Sequence, residues 1–257
     1  MRYKVILSYD GSPFCGWQLQ PDADTVQERL EKALSTLLRT DIQVTGAGRT
    51  DSGVNAIGYT AHFDCPSGTD LDAGALGYKL NAILPSSIRV HEVLPAGEDF
   101  HARFDARLRE YTYFIHRTKD PFMDRYSCFC PYPLDLDAMN KAAAALVGTH
   151  DFSCFQKTGS DVRTPVCTVY SAGWSTYVPD HVKLMGYPAE EGGYLYFKIS
   201  ANRFLRNMVR AIVGTLIEVG RGKRTAESVV GLLQGGARGD AGESVPGKAL
   251  FLSKVEY

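Results

Sequence analysis

Apolar and polar positions recur along the first hundred residues with the period of two typical of strands and the period near 3.6 typical of helices. Strand patterns are found at residues 2–9, 42–44, 57–63 and 88–94. One helix is predicted from an N-cap at Asp24-Thr25 to about Arg39, because its apolar residues share one face. A second helix begins after Asp70 or Asp72 and must end before Pro85, since proline cannot continue a helix.

The second half repeats this mixture after a turn-rich segment at residues 95–99. Its predicted strands are 108–116, 166–178, 194–200 and 251–256, and its predicted helices are 135–147, 203–219 and 225–233. The pattern predicts an α+β protein with two ferredoxin-like (RRM-like) halves, residues 1–100 and 101–257, whose antiparallel sheets join around a central cleft. Polar or glycine-rich loops are expected at 157–164 and 234–246, the second of them mobile.

Composition narrows the class of protein without identifying a partner. The 257 residues are 44% apolar with a formal net charge of −1, which predicts a globular protein with no overall basic character. The first apolar run is too short for a signal peptide, and no stretch approaches the roughly 18 apolar residues of a membrane span. The six cysteines lack zinc-site spacing, so we expect free thiols in a reducing cytoplasm and no metal.

The segment 46–56 places a carboxylate, Asp51, two residues after a guanidinium, Arg49, in a turn bracketed by glycines. Because strands are predicted on both sides, Asp51 is expected on a tight strand-to-strand connection. Glycines let the backbone of such a turn aim a side chain outward, although an ordinary turn has the same composition. A dinucleotide-binding loop is excluded, because Gly46 and Gly48 lack the third glycine and the following helix.

Residues 109–115 alternate as a strand, with Tyr111, Tyr113 and Ile115 on one face. An aromatic ring on an open sheet can stack on an unpaired base, which is a common way to hold a nucleotide. A half-buried core tyrosine would give the same pattern. Spacing alone therefore leaves both interpretations of Tyr111 open.

The predicted helix from residue 203 carries a polar stripe at helical spacing, made of Arg203, Arg206, Asn207, Arg210 and Gly214. Residues 202–224 hold six basic residues and one acid, a local charge of +5 in a nearly neutral chain. A solvated charged face is one explanation of the stripe. Contacts to phosphates are the other, and the single sign of the charge favours them.

Three strings, at residues 48–54 (GRTDSGV), 109–113 (REYTY) and 208–214 (MVRAIVG), together resemble the motifs of the TruA family of tRNA pseudouridine synthases. The resemblance implies that Asp51 is the catalytic nucleophile and that Arg210 pairs with it. It implies further that Tyr111 packs on the target uridine and that Arg49 replaces the flipped base or holds its phosphate. One departure is Asn55, where the family commonly has histidine; asparagine can form hydrogen bonds but cannot carry a charge.

The family resemblance also implies a reaction, a substrate and an assembly. Uridines at positions 38–40 of the tRNA anticodon stem-loop would be isomerised to pseudouridine without cofactor or metal, by a homodimer that binds tRNA through basic surfaces. Arg203, Arg206 and Asn207 are the candidate substrate contacts, together with Tyr111. Two rival classes stay open, namely a non-catalytic RNA-binding protein on the same fold and a nucleosidase-like hydrolase that releases free uracil.

Overall fold

A computed structural model describes residues 1–66, 71–159 and 163–257. These residues cluster into two units, one formed by residues 1–108 with 251–257 and the other by residues 109–250. Both are mixed α/β structures with mostly antiparallel strand pairing. The sequence-based division into 1–100 and 101–257 stays a prediction; the units differ from it by grouping 101–108 and the last strand with the N-terminal residues.

The bounds of the elements define the two units. In chain order the strands are β1 Arg2–Tyr9, β2 Val44–Gly46, β3 Asn55–Asp64, β4 Ile88–Ala96, β5 Leu108–His116, β6 Cys128–Phe129, β7 Gly148–Asp151, β8 Val166–Thr176, β9 Tyr194–Ala201 and β10 Leu250–Glu256. The α-helices are α1 Val26–Leu38, α2 Ala73–Ile83, α3 Leu136–Ala144, α4 Asp180–Leu184, α5 Met208–Gly220 and α6 Ser228–Leu232.

The first unit is a sheet in the order β4-β1-β3-β10, with β2 beside β3. Burial alternates strictly along β1, as the sequence pattern predicts for a strand with one face on the core. Helix α1 begins at the predicted N-cap, where the Thr25 side chain accepts the Glu28 N–H at 3.3 Å. Asp72 caps α2 in the same way, accepting the Ala75 N–H at 3.0 Å; the other candidate, Asp70, lies outside the described residues.

The last strand closes the first unit from the far end of the sequence. Strand β10 pairs in parallel with β3, with Phe251 opposite Asn55. The Arg107 N–H donates to the Glu256 carbonyl at 2.8 Å, and the Tyr257 hydroxyl donates to the Ala102 carbonyl at 2.9 Å. These bonds explain why residues 101–108 and 251–257 group with the first sheet.

The second unit is a sheet in the order β5-β9-β8-β7, with β6 beside β5 and with α3 packed on β8. Helix α5 is its core helix, since ten of its thirteen residues are buried. The predicted start of this helix at Arg203 is wrong. Asn207 has φ +67°, a left-handed conformation that asparagine tolerates better than most residues, and the helix begins only at Met208.

Other element predictions need smaller corrections. The strand predicted at 42–44 begins at Val44, α3 ends before Val147, β8 ends at Thr176, and the helix predicted over 225–233 is limited to α6. The two-residue β6, the four-residue β7 and the five-residue α4 were not predicted, because such short segments show no measurable period.

The segment 241–245 also differs from expectation, because it is held against α5. The Gly242 N–H donates to the buried Thr215 hydroxyl at 2.9 Å, and the Val245 N–H donates to the Arg210 carbonyl at 3.2 Å. Part of the other predicted loop, at 160–162, lies outside the described residues. Among the residues that are described, no helix combines the length and apolar content needed to cross a membrane.

Candidate active site

The loop of Asp51 connects β2 to β3, so the predicted strand-to-strand connection is confirmed. The Val54 N–H donates to the Asp51 carbonyl at 3.1 Å, and Gly53 takes a φ of +74°, which glycine adopts at little cost. Asp51 itself is half-buried, while Arg49 is exposed. The Arg49 Nε donates to the Gln18 side chain at 3.2 Å. Both predicted charged residues therefore lie in the same connection between β2 and β3.

Two buried aromatic rings, those of Tyr59 and Trp17, support this loop. Tyr59 on β3 is fully buried and stacks on Trp17 with ring centroids 4.1 Å apart. The Tyr59 hydroxyl donates to the Gly48 carbonyl and accepts the Gly48 N–H at 3.4 Å. Gly46 leaves room for the two rings, because a Cβ there would lie 2.1 Å from the Tyr59 hydroxyl oxygen. The glycine before the motif is therefore required by packing.

Thr50, directly before the candidate nucleophile, is held by its hydroxyl and by its backbone carbonyl. Its hydroxyl lies 2.9 Å from the Tyr9 hydroxyl, and its carbonyl accepts the Trp17 N–H at 3.2 Å. Gly16 has φ +92°, and a Cβ at this position would lie 2.4 Å from the Thr50 carbonyl oxygen. A second loop thus approaches the peptide beside Asp51 as closely as glycine permits.

The sequence patterns do not indicate that this second loop, residues 10–18, belongs to the site. Its Phe14 carbonyl accepts the Ser52 hydroxyl at 3.3 Å and the Gly53 N–H at 3.4 Å. Gly11 packs against the Val54 carbonyl, from which a Cβ would be only 2.1 Å away. Two glycines and a tryptophan soon after a strand were the available signal, but nothing local shows which loop they contact.

Asn55 forms a further link between the two loops. It is 1% exposed, and its Oδ1 accepts the Gly11 N–H at 2.8 Å. The position where the family commonly has histidine is therefore occupied by a buried hydrogen-bonding side chain. A neutral amide meets this requirement without the cost of burying a charge.

In the second unit, Tyr111 lies on β5 opposite Ile199 of β9. It is half-buried, whereas Tyr113 and Ile115 on the same face are fully buried. The edge of its ring meets Phe204 at a centroid distance of 5.1 Å and an angle of 89°. Tyr111 thus lies at the margin of its core with one side braced by another aromatic ring.

Arg210 lies in the first turn of α5 and is half-buried. Its Nε donates to the Val245 carbonyl at 2.7 Å, while its own carbonyl accepts the Val245 N–H at 3.2 Å. At Gly214, one turn further on, another chain segment comes very close, since a Cβ there would lie 1.7 Å from the Glu243 carbonyl oxygen. The 241–245 segment therefore fixes the arginine backbone and one side of its guanidinium.

The continuous helical stripe that the sequence predicted is wrong, because three of its members precede the helix. Arg203 donates to the Thr164 carbonyl at 2.8 Å, and the Asn207 side chain donates to the Ser244 hydroxyl at 2.6 Å. Arg206 is exposed, and its carbonyl accepts the Lys157 N–H at 3.0 Å. Arg203 and Asn207 therefore hold loops together, and Arg206 presents its side chain at the surface.

The buried thiols of Cys130, Cys154 and Cys167 are poor competitors for the role of nucleophile. All six cysteines are free, and burial raises the pKa of Cys167 to about 11. Burial also raises the pKa of the Cys130 and Cys154 thiols, so they are protonated at neutral pH. Within residues 1–66, 71–159 and 163–257, no three His, Cys, Asp or Glu side chains are grouped so as to hold a metal ion.

Comparison with known proteins identifies the family of the chain. A family model described as tRNA pseudouridine synthase matches residues 5–105 and 142–257. The tRNA pseudouridine synthase A of Bacteroides fragilis is 46% identical over all of this chain and 96% of its own length, and that of Bacillus subtilis is 40% identical over all of this chain and 99% of its own. A solved archaeal box H/ACA sRNP Nop10-Cbf5 complex is 12% identical, with a TM-score of 0.34 over 84% of this chain and 44% of that chain. The chain belongs to the tRNA pseudouridine synthase family.

Proposed function

We propose that this protein isomerises uridine to pseudouridine in tRNA, at positions 38–40 of the anticodon stem-loop. The observation that carries the proposal is the loop of Asp51, whose backbone is bonded to Tyr59, Trp17 and Phe14 on adjoining segments. A half-buried carboxylate on so constrained a turn is suited to meet a substrate atom with little loss of conformational entropy.

The chemistry is an exchange of one bond for another. The bond from ribose C1′ to uracil N1 breaks, the base turns, and C1′ rejoins the base at C5. The C5 proton leaves to solvent while N1 gains a proton, so no oxidant, reductant or nucleotide is consumed. Asp51 must be ionised, either to attack C1′ or to remove the proton on C2′.

The other predicted residues have roles that the family resemblance implies. Arg49 is exposed on the same turn and is proposed to fill the space of the flipped uridine or to hold its phosphate. Tyr111 is proposed to stack on the released uracil, and Arg210 to favour the ionised form of the nucleophile. Arg206 remains a candidate phosphate contact, whereas Arg203 and Asn207 are proposed to act by holding the loops around it.

The finer points of architecture are also proposals. The β-α-β-β-α-β order of β1 to β4 supports a ferredoxin-like first half. In the second unit, β9 lies between β5 and β8, an arrangement that supports a modified version of that fold. A homodimer and a cytoplasmic location are proposed from the family resemblance.

The deciding experiment measures tritium released from C5-labelled uridine in a tRNA transcript. The wild-type chain should release tritium, and Asp51→Asn, which keeps the shape of the side chain, should bind the transcript but release none. Asp41→Asn is the matched control, because that exposed carboxylate is not part of the loop and lies between α1 and β2. Release by Asp51→Asn at the wild-type rate would refute the assignment of the nucleophile.

Two further outcomes separate the rival functions. Tight binding of tRNA by the wild-type chain without any release would indicate a non-catalytic RNA-binding protein. Free uracil in the chromatogram would indicate a hydrolase, in which water and not C5 takes the place of N1 at C1′.

A further inference from the structure

Phe104 is a largely exposed aromatic residue of the first unit that lies outside the candidate site. It is 73% exposed, yet it belongs to a short turn, residues 101–105, that is extensively hydrogen-bonded. A single exposed apolar side chain is common on protein surfaces and by itself needs no explanation. Phe104 needs an explanation because many hydrogen bonds and a stacked ring hold its turn in place while the side chain stays exposed to solvent.

The ring is stacked from behind and flanked by a positive charge. The His101 imidazole lies nearly parallel to it, with centroids 4.2 Å apart and 30° between the planes. The Arg103 guanidinium carbon lies 5.6 Å from the Phe104 centroid, within the range of a cation–π contact. One face of Phe104 is thus covered by His101, and Arg103 brings a positive charge to the ring.

The backbone of the 101–105 turn is fixed by its own side chains. The N–H groups of Arg103 and Phe104 both donate to His101 Nδ1 at 3.2 Å. The His101 N–H in turn donates to the Asp105 carboxylate at 2.7 Å, and the Asp105 N–H donates to the His101 carbonyl at 3.0 Å. The acid of the turn is therefore engaged by the turn itself.

The base of the turn is anchored in the core by Ala102, which is fully buried. Its N–H donates to His62 Nδ1 at 3.1 Å, and its carbonyl accepts the hydroxyl of the terminal Tyr257 at 2.9 Å. His62 acts here as an acceptor, in keeping with burial that lowers the pKa of its imidazole to about 4. Because both backbone polar groups of Ala102 are hydrogen-bonded within the first unit, the base of the turn is fixed.

We propose that Phe104 is a stacking platform for an unpaired base of the tRNA, outside the catalytic turn, with Arg103 placed to contact the neighbouring phosphate. A rigid ring with one open face, backed by an aromatic and flanked by a guanidinium, is the combination by which proteins hold single-stranded nucleotides. The exposed Arg103 and Arg107 make a polyanion a better occupant than an apolar protein surface. This inference rests on the proposed function, since it names a second contact to the same substrate.

The test compares binding of a tRNA transcript by variants made in the Asp51→Asn chain, so that no turnover occurs. Replacement of Phe104 by alanine should raise Kd about 5-fold or more and leave the slope of log Kd against log salt unchanged. Phe104→Trp should restore affinity, and Phe104→Leu, which is apolar but has no π face, should not. Arg103→Ala should reduce the salt slope by about one.

Tyr78→Ala is the matched control, because Tyr78 is 79% exposed on α2 and has no stacked neighbour among the described residues. Its Kd should equal that of the parent chain. The platform is refuted if Phe104→Ala binds within 2-fold of the parent, or if Phe104→Leu binds as well as Phe104→Trp. If Phe104→Ala changes the mass of the protein in sedimentation but binds tRNA with unchanged affinity, Phe104 belongs to a protein contact. That result would also refute the platform.

The proposed function fails separately, through the tritium assay. A wild-type chain that releases no tritium would refute the activity whatever the binding data show. Normal release by the wild-type chain together with unaltered binding by Phe104→Ala would refute the platform alone.

Discussion

Removal of the Tyr59 hydroxyl, in the variant Tyr59→Phe, tests whether its hydrogen bonds to Gly48 hold the catalytic turn. The ring remains in its stack with Trp17, and the two contacts of the hydroxyl to Gly48 are lost. One of these is the hydrogen bond that the hydroxyl donates to the Gly48 carbonyl, and the other, at 3.4 Å, is weak. The carbonyl of Gly48, a half-buried residue, thereby loses this donor.

The expected cost is that of one net hydrogen bond, about 1 kcal/mol, or roughly a 5-fold rise in the unfolded fraction. For a chain of this size, such a loss lowers Tm by about 2–4 °C. The turn should also loosen locally, so the amide protons of Ala47 and Gly48 should exchange faster with solvent. Since Asp51 is on this turn, kcat should fall more than KM rises.

Tyr113→Phe is a matched control in the second unit, since Tyr113 is also fully buried. Its hydroxyl forms no regular hydrogen bond among the described residues. Burial raises the pKa of Tyr113, and the neighbouring Cys128 thiol, a weak partner, adds to the rise. Deleting this hydroxyl removes a desolvated polar group, so Tm should stay constant or increase.

Thermal unfolding followed by circular dichroism, with hydrogen exchange on the same samples, makes the comparison. Equal Tm values for Tyr59→Phe and the wild-type chain would show that the hydroxyl does not hold the turn. An equally large loss in Tyr113→Phe would show that the cost belongs to any buried tyrosine and not to the bond with Gly48.

Two further predictions concern packing and pH. Gly214→Ala should cost at least about 2 kcal/mol, because its Cβ would overlap the Glu243 carbonyl, whereas Gly97→Ala, with open space around it, should cost almost nothing; urea unfolding measures both. The pKa of His62 is lowered by burial to about 4, below its ordinary 6.5, so the unfolded chain binds more protons between these values. Stability is then full above pH 6.5 and falls toward pH 4, and His62→Gln should remove roughly 2 kcal/mol of the difference between pH 7 and pH 5. A pH dependence of stability in His62→Gln identical to that of the wild-type chain would contradict this. The other buried histidine, His116, is present in both proteins, so its contribution cancels in the comparison.

Elements with local causes could be predicted from the sequence. Helix α1 begins at Thr25 because the cap and the apolar face both lie within one turn of it, and Asp72 and Asp135 start α2 and α3 for the same reason. The position of Asp51 between two strands followed from alternation on either side of a glycine-rich turn. In each case the responsible residues are neighbours in the chain.

Features set by distant residues could not be predicted. Nothing in residues 203–207 opposes a helix, and Asn207 leaves the helical conformation where its side chain binds Ser244. The support of the Asp51 turn by residues 10–18 likewise depends on contacts across more than 30 positions of sequence. Motif resemblance identified the charged groups of the candidate site, but the glycines and carbonyls that fix them became visible only in three dimensions.

The return of the last strand to the first sheet has a consequence for biosynthesis. Residues 109–250 are an insertion between two parts of one unit, so the ribosome must make all of them before β10 can join β3. At about 5–20 residues per second this delay lasts roughly 7–28 s. During that time the edge of β3 and the carbonyl of Ala102 lack their final partners, so a nascent chain at this stage exposes polar backbone groups that the finished protein pairs.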